Sequence, residues 1–298
     1  MTIYSSIGSN KRKTWLIMIG FILFFFMVSY VIGKALGYGL SFAGIMLLIS
    51  GVITFFSYYY SDKMVLSMSN AKPASKDEYR ELYSIVENLS IASGLPMPKV
   101  YIIHDAAPNA FATGRDPKHA VVAATTGLLA LLKKSELEGV IGHELSHVKN
   151  YDTRLMGIVA ILVGSLAILS DVFFRSMFFG GEDNDNKKGN GIFIIVALVL
   201  AILAPLIATV IQLAVSRRRE FLADANGALI TRYPDGLADA LLKIADDRHV
   251  LKHANNATAS LFFENPFKAD TGKKTSWLVN MFSTHPPVEA RVKALRDM

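Results

Sequence analysis

Two apolar runs lie almost back to back near the start of this chain, Trp15 to Ile32 and Leu40 to Tyr60, and neither contains a charged residue. About 20 consecutive apolar residues are what a helix needs to cross the hydrocarbon core of a bilayer. Lys11, Arg12 and Lys13 precede the first run, while Tyr58, Tyr59 and Tyr60 end the second. Basic residues mark the cytoplasmic side of a span, and tyrosines gather at the membrane interface. The first run is long for a cleavable signal core, no small-x-small site follows it, and a second run comes at once, so it reads as a retained anchor. Residues 1–10 read as a short, frayed tail, Gly33 to Gly39 as a tight turn, and Asp62 and Lys63 as the return to water. A mean hydropathy of +0.35 fits a chain with membrane spans. The formal charge of +6 clusters beside the apolar runs, so it reads as membrane orientation and no nucleic-acid partner is expected.

His143-Glu144-Leu145-Ser146-His147 carries the chemistry. Histidines four apart on a helix share one face, so their ring nitrogens can reach one tetrahedral zinc ion. Glu144 is the candidate catalytic base, placed to take a proton from water at the metal. Cysteine is absent, which leaves histidine and carboxylate as the available zinc ligands. Ser135-Glu136-Leu137-Glu138 reads as a capping box that starts this helix, and Leu137, Val140, Ile141 and Leu145 form its apolar stripe. His249 and His253 repeat the spacing, but Val250 stands where the glutamate would be, and the pair reads as ordinary polar positions.

The intervening soluble region has a helix pattern over Asp77 to Ser93, stopped by Gly94 and Pro96. Lys99 to His104 reads as a strand, Asn109 to Thr113 and His119 to Ala123 as a hairpin, and Thr126 to Leu132 as a short helix. A third apolar run, Leu155 to Phe174 with Asp171 near its far end, a polar loop over 175–191, and a fourth run, Ile192 to Val215, follow. Arg217, Arg218 and Arg219 close the fourth run on the cytoplasmic side. The expected organisation is a transmembrane hairpin over 1–61 and a cytosolic region over 62–154. A hydrophobic hairpin over 155–215 and a second cytosolic region over 216–298 complete it.

A catalytic zinc needs a third protein ligand and an open position. Glu220 and Asp224, four apart directly after the fourth run, supply one: Glu220 as the ligand, Asp224 as acceptor of a hydrogen bond from a ligating imidazole. The hairpin returns Glu220 to the membrane face that His147 left.

In order and spacing these motifs resemble the HtpX family of membrane-bound zinc metalloproteases, related to the CAAX prenyl proteases. The resemblance covers nearly the whole chain and includes Asn109-Ala110-Phe111-Ala112, His285-Pro286-Pro287 and Arg291. It implies an α+β zincin-like metalloprotease domain, predominantly α, with about four transmembrane helices, two amino-terminal and two inserted as a hairpin between the zinc-ligand helices. It also implies that Asn109, Ala110, Phe111 and Ala112 form an edge strand that holds substrate backbone, an interior strand being the alternative. His285 and Arg291 become candidates for stabilising the oxyanion, with a structural helix start as the alternative.

The expected function is a zinc-dependent endopeptidase of the cell (inner or plasma) membrane, multi-pass, with its amino terminus and active site in the cytoplasm and one Zn2+ per chain. The resemblance implies polypeptide substrates, misfolded or damaged membrane proteins, and a role in quality control. A prenyl-protein endopeptidase shares the same chemistry. A non-enzymatic membrane scaffold or transporter is the reading from another class.

Overall fold

The computed structural model describes residues 3–36, 39–164, 217–251, 261–263 and 286–298. Helix α1 (Ile3–Leu36) and helix α2 (Gly39–Met68) carry the first two apolar runs. Both are long and apolar enough to cross a membrane, with mean hydropathies of 1.8 and 2.1 over Ile7–Tyr30 and Leu40–Met68. Many of their large side chains stay uncovered, Leu16 being 69% and Leu48 72% exposed, as a surface made for lipid requires.

Two boundaries differ from the sequence reading. The amino terminus is helical from Ile3, and Asn10 is buried at 2% exposure because it packs into the soluble domain. The second helix does not end at Tyr60. It kinks there (φ −122°, ψ 15°) and runs on past Asp62 and Lys63, because Val65 and Leu66 are buried against the sheet. The expected turn over 33–39 shrinks accordingly, since α1 persists to Leu36 and α2 begins at Gly39.

The sheet has strands β1 (Lys72–Pro73), β2 (Lys99–Ile103), β3 (Ala110–Thr113) and β4 (Val121–Thr125), in the order β1-β2-β4-β3. Strands β2 and β4 are parallel, and β3 pairs antiparallel with β4, Ala110 opposite Ala124. The expected hairpin forms, with its second strand starting two residues later than predicted because Pro117–His119 makes a 3-10 turn capped by Asp116.

Side chains alternate across the pleat. Val100, Ile102, Ala110, Ala112, Val122 and Ala124 face one core, shared with Leu82, Ile85 and Val86 of helix α3 (Arg80–Ser93) and with Val140, Ile141 and Leu145 of helix α5 (Lys134–Lys149). Ile103, Phe111, Val121 and Ala123 face a second core, closed by Val65, Leu66, Leu155 and Val159. The short helix α4 (Thr126–Leu131) links β4 to α5, and Gly94 ends α3 in the left-handed conformation, φ 69°.

Helix α5 begins at Lys134, two residues earlier than a cap at Ser135 allows. Glu136 accepts from the Lys133 N–H at 2.8 Å and from the Lys243 ammonium at 2.8 Å, so the capping carboxylate is Glu136 and not Glu138. After α5 the chain reverses at Tyr151, which has φ 60°, and is helical again over residues 152–164. Leu155, Ile158, Val159 and Leu162 of that stretch are buried, Ile158 and Leu162 against Met18 and Phe21 of α1. The remainder of the third apolar run, with Asp171, and the whole of the fourth lie outside the described residues.

Helix α6 (Arg217–Thr231), helix α7 (Pro234–Asp246) and helix α8 (Val288–Arg296) complete the described elements. Gly227 lets α6 touch α5: a Cβ there would stand 2.8 Å from the His143 nitrogen and 3.1 Å from the Gly142 carbonyl carbon. Gly227→Ala is expected to push these helices apart and to cost about 1–3 kcal/mol through overpacking. A lower melting temperature of the detergent-solubilised protein is the readout, and an unchanged one would show that the helices can yield.

Candidate metal centre

The face of α5 that meets α6 carries His143 and His147, and the first turn of α6 brings Glu220 against them. His143 Nε2 lies 3.0 Å from His147 Nε2 and 3.8 Å from Glu220 Oε2, and His147 Nε2 lies 3.7 Å from Glu220 Oε1. Zinc bonds of about 2.0–2.1 Å at tetrahedral angles call for ligand atoms about 3.3 Å apart, and the three separations bracket that value. All three residues are buried, and their ligand atoms lie within 4.8 Å of one another, close enough to hold one metal ion.

The outer nitrogens of both rings face carboxylates. His143 Nδ1 is 2.8 Å from Asp224 Oδ1, and His147 Nδ1 is 3.0 Å from Asp152 Oδ2. Each carboxylate accepts the Nδ1–H, which leaves the Nε2 lone pair free to face inward. Two ring nitrogens and a carboxylate so placed are held together by a proton on His147, which can bridge to His143, or by a metal ion in its place, and the donor set suits zinc.

Each backing carboxylate is in turn held by an arginine. Arg291 donates to both oxygens of Asp224, from Nε at 2.8 Å and from a terminal nitrogen at 2.7 Å. Arg219 donates to Asp152 at 3.1 Å. Burial alone would raise the Asp224 carboxyl, but the Arg291 guanidinium and the bond to His143 hold it down at about 2. Burial pushes His143 down to about 4. Burial also disfavours charge on His147, yet the Asp152 hydrogen bond and the carboxylates of Glu220, Asp152 and Glu144 outweigh it and lift that ring to about 9.

Glu144 is buried and lines a narrow cleft with His143, His147, Ala112, Met156, Phe262 and Phe263. The Phe263 ring stands edge-on to His143, centroids 5.0 Å apart, and Phe262 packs edge-on to Phe111. Strand β3 is the edge of the sheet nearest this cleft. Its Ala110 carbonyl accepts from the Phe263 N–H at 2.8 Å, so the chain itself covers part of that edge.

Of the residues singled out in the sequence, His143, Glu144, His147, Glu220 and Asp224 converge here. Arg291 also arrives, but on the Nδ1 side of His143, gripping Asp224, and not on the Nε2 side where an oxyanion would form. His285 and His253 lie outside the described residues, and His249 is exposed beside Asp247. Sequence reasoning missed Asp152, because it stands beyond the end of α5, where helical spacing no longer reports neighbours. It also missed Asn10 and read Arg219 only as a topology signal. The proximity of Asp152 to a histidine pair was the one hint.

Residues 76–298 match the sequence model of peptidase family M48. A protein described as a protease HtpX homolog from Dictyoglomus thermophilum is 45% identical over 297 residues, covering 100% of this chain and 95% of that relative. Another so described, from Tropheryma whipplei strain Twist, is 45% identical and covers 99% and 98% of the two chains. The crystal structure of Ste24p from S. mikatae is similar in fold, with a TM-score of 0.50 at 17% identity, covering 98% of this chain and 66% of that one.

Two outcomes are expected. Below about pH 9 an incoming ion must displace the His147 proton, so apparent metal affinity should fall about tenfold per pH unit toward neutrality. Chelator competition at several pH values measures the slope, and a flat profile would mean that this ring carries no proton. Replacing Arg291 by Met should leave Asp224 a buried carboxylate without its partner, at a cost of about 3–5 kcal/mol read by urea unfolding.

Proposed function

This chain belongs to peptidase family M48 and is a membrane-bound metalloprotease, and from that premise we propose a zinc endopeptidase that cleaves misfolded or damaged membrane proteins at the cytosolic face of the membrane. The observation that carries this reading is the convergence of His143, His147 and Glu220 beside the buried Glu144. His143, His147 and Glu220 would hold a zinc ion by three ligands beside the cleft that Glu144 lines, a donor set that suits a catalytic site more than a closed structural one.

Zinc held by these residues would supply Lewis-acid chemistry, acidifying a water and polarising the scissile carbonyl. Glu144 takes the proton as the water oxygen bonds to the carbonyl carbon, and passes it to the amide nitrogen as the carbon–nitrogen bond breaks. Asp224 and Asp152 hold the two imidazoles in the Nδ1–H form, so that neither ring turns its lone pair away. Substrate backbone pairs with the outer edge of β3 beside the cleft, which accepts any sequence because main-chain groups do the bonding.

The cytoplasmic placement rests on Lys11, Arg12 and Lys13 before the first span. The contact of Asn10 with Asp152 supports one side for the amino terminus and the site. Residues 155–215 are proposed as a second pair of spans, which returns Glu220 to the side that His147 left. The quality-control role and the membrane-protein substrates rest on the family resemblance.

The test compares wild type with Glu144→Gln, both purified in detergent, for bound zinc and for degradation of an unfolded polypeptide. Both are expected to hold one zinc, with degradation by the variant reduced by about 10²–10⁴-fold. A variant that cleaves at the wild-type rate would remove Glu144 from the chemistry, and a wild type without zinc would remove the metal reading itself.

A further inference from the structure

Asparagine is costly to bury unless each of its polar groups is bonded. Asn10 is 2% exposed on α1, a helix whose next residues enter an apolar membrane span. Its amide donates to Asp152 Oδ1 at 2.7 Å and to the Asn150 carbonyl at 2.9 Å, and its oxygen accepts from Arg219 at 3.3 Å. Asp152, 1% exposed, turns its other oxygen to His147 Nδ1. One amide from the first membrane helix is thus a single residue away from a candidate metal ligand. It also touches Arg219, the neighbour in sequence of the candidate ligand Glu220.

The backbone reversal at Tyr151 explains why outside help is needed there. A bulky residue with φ 60° is strained, by about 1–3 kcal/mol, and persists only where its surroundings hold it. This reversal swings Asp152 back under His147. Residues of α1 clamp it from outside: Asn10 on the Asn150 carbonyl, and the Lys11 ammonium over the Tyr151 ring, 4.5 Å from its centroid.

We propose that Asn10 is a positioning residue for the metal centre: acting through Asp152 it sets the orientation of His147, so that the first membrane helix is a working part of the site as well as an anchor. The inference rests on the reading of His143, His147 and Glu220 as metal ligands. Losing a group that orients a metal-bound histidine's partner typically costs 10–100-fold in metal affinity or activity. Displacing α1, by proteolysis or by a change in the surrounding lipid, would loosen the metal by the same route.

The chemistry of the amide separates positioning from packing. Asn10→Asp keeps the shape but turns two donors into acceptors beside Asp152, whereas Asn10→Ala leaves a small gap. Full-length protein in detergent is loaded with cobalt(II) as a spectroscopic probe, and affinity is measured by chelator competition. Asn10→Ala should weaken cobalt binding about tenfold and Asn10→Asp about 100-fold, each with a changed visible absorption band. The pair Asn10→Asp with Asp152→Asn restores one donor and one acceptor between the two positions, and should recover affinity relative to Asn10→Asp alone. Met18→Ala, which thins the packing of α1 against Ile158 and Leu162 without touching the network, should bind as wild type.

The proposal is overturned if Asn10→Asp binds cobalt as tightly as wild type, if the paired exchange recovers nothing, or if Met18→Ala loses as much as Asn10→Ala. Asn10→Ala, which adds no charge, decides the matter should Asn10→Asp not accumulate. A wild type that binds no cobalt would instead overturn the metal reading on which this inference stands.

Discussion

Three groups with lone pairs face each other across 3.0 to 3.8 Å inside this protein, and the rest of the fold is arranged to keep them there. Without the proton that His147 carries, or a metal in its place, His143, His147 and Glu220 would turn apart, since acceptors repel and burial denies them water. Two layers of opposite charge prevent it. A carboxylate stands behind each ring, and an arginine behind each carboxylate, so that charge alternates outward from the centre. In a medium of low dielectric each layer matters, because an uncompensated buried charge costs several kcal/mol. The proposed cation is the innermost member of that series.

Holding two helices in such register demands close backbone approach, which is the contribution of Gly227 against His143. The sheet gives α5 its rigidity by burying the apolar stripe Leu137, Val140, Ile141 and Leu145 in one core. The opposite face of the same sheet rests on the end of α2 and on the 152–164 helix. Membrane segments and soluble domain therefore share a core. The kink at Tyr60 lies where α2 passes from uncovered tyrosines to buried Val65 and Leu66.

Much of the candidate site was legible because its members repeat at helical spacing. His143 with His147, and Glu220 with Asp224, are each four apart, and that pattern reports a shared face without any knowledge of the fold. The α+β class came from the family resemblance, while the β3–β4 hairpin was legible from its turn residues. Asp152, Asn10 and Arg219 were not, because they meet only through tertiary contacts: Asn10 and Asp152 are 142 residues apart. The polar composition of residues 1–10 even argued for a frayed tail. In the fold that segment continues the first helix, and Asn10 finds its partners at Asn150 and Asp152. The cap of α5 was misplaced for a related reason. Glu136 is chosen over Glu138 by Lys243, a residue on α7.

The edge strand allows a sharper reading. The Asn109 carbonyl accepts from the Thr125 N–H, so Asn109 bonds inward to β4, while the Ala110 carbonyl accepts outward from Phe263. Backbone groups of a strand alternate between its two sides. Ala112 then faces outward as Ala110 does, and Phe111 faces inward. Since Phe263 engages Ala110, the outward position proposed for a substrate strand is, among the described residues, Ala112, and Ala112 lines the cleft beside His143, Glu144 and His147. Four residues proposed to hold substrate backbone thus reduce to one that combines an outward-facing main chain with a place at the candidate centre. A longer substrate strand would have to compete with Phe263 for the Ala110 carbonyl. Its aromatic ring, packed against both His143 and the Arg291 guanidinium, sets what that exchange would cost.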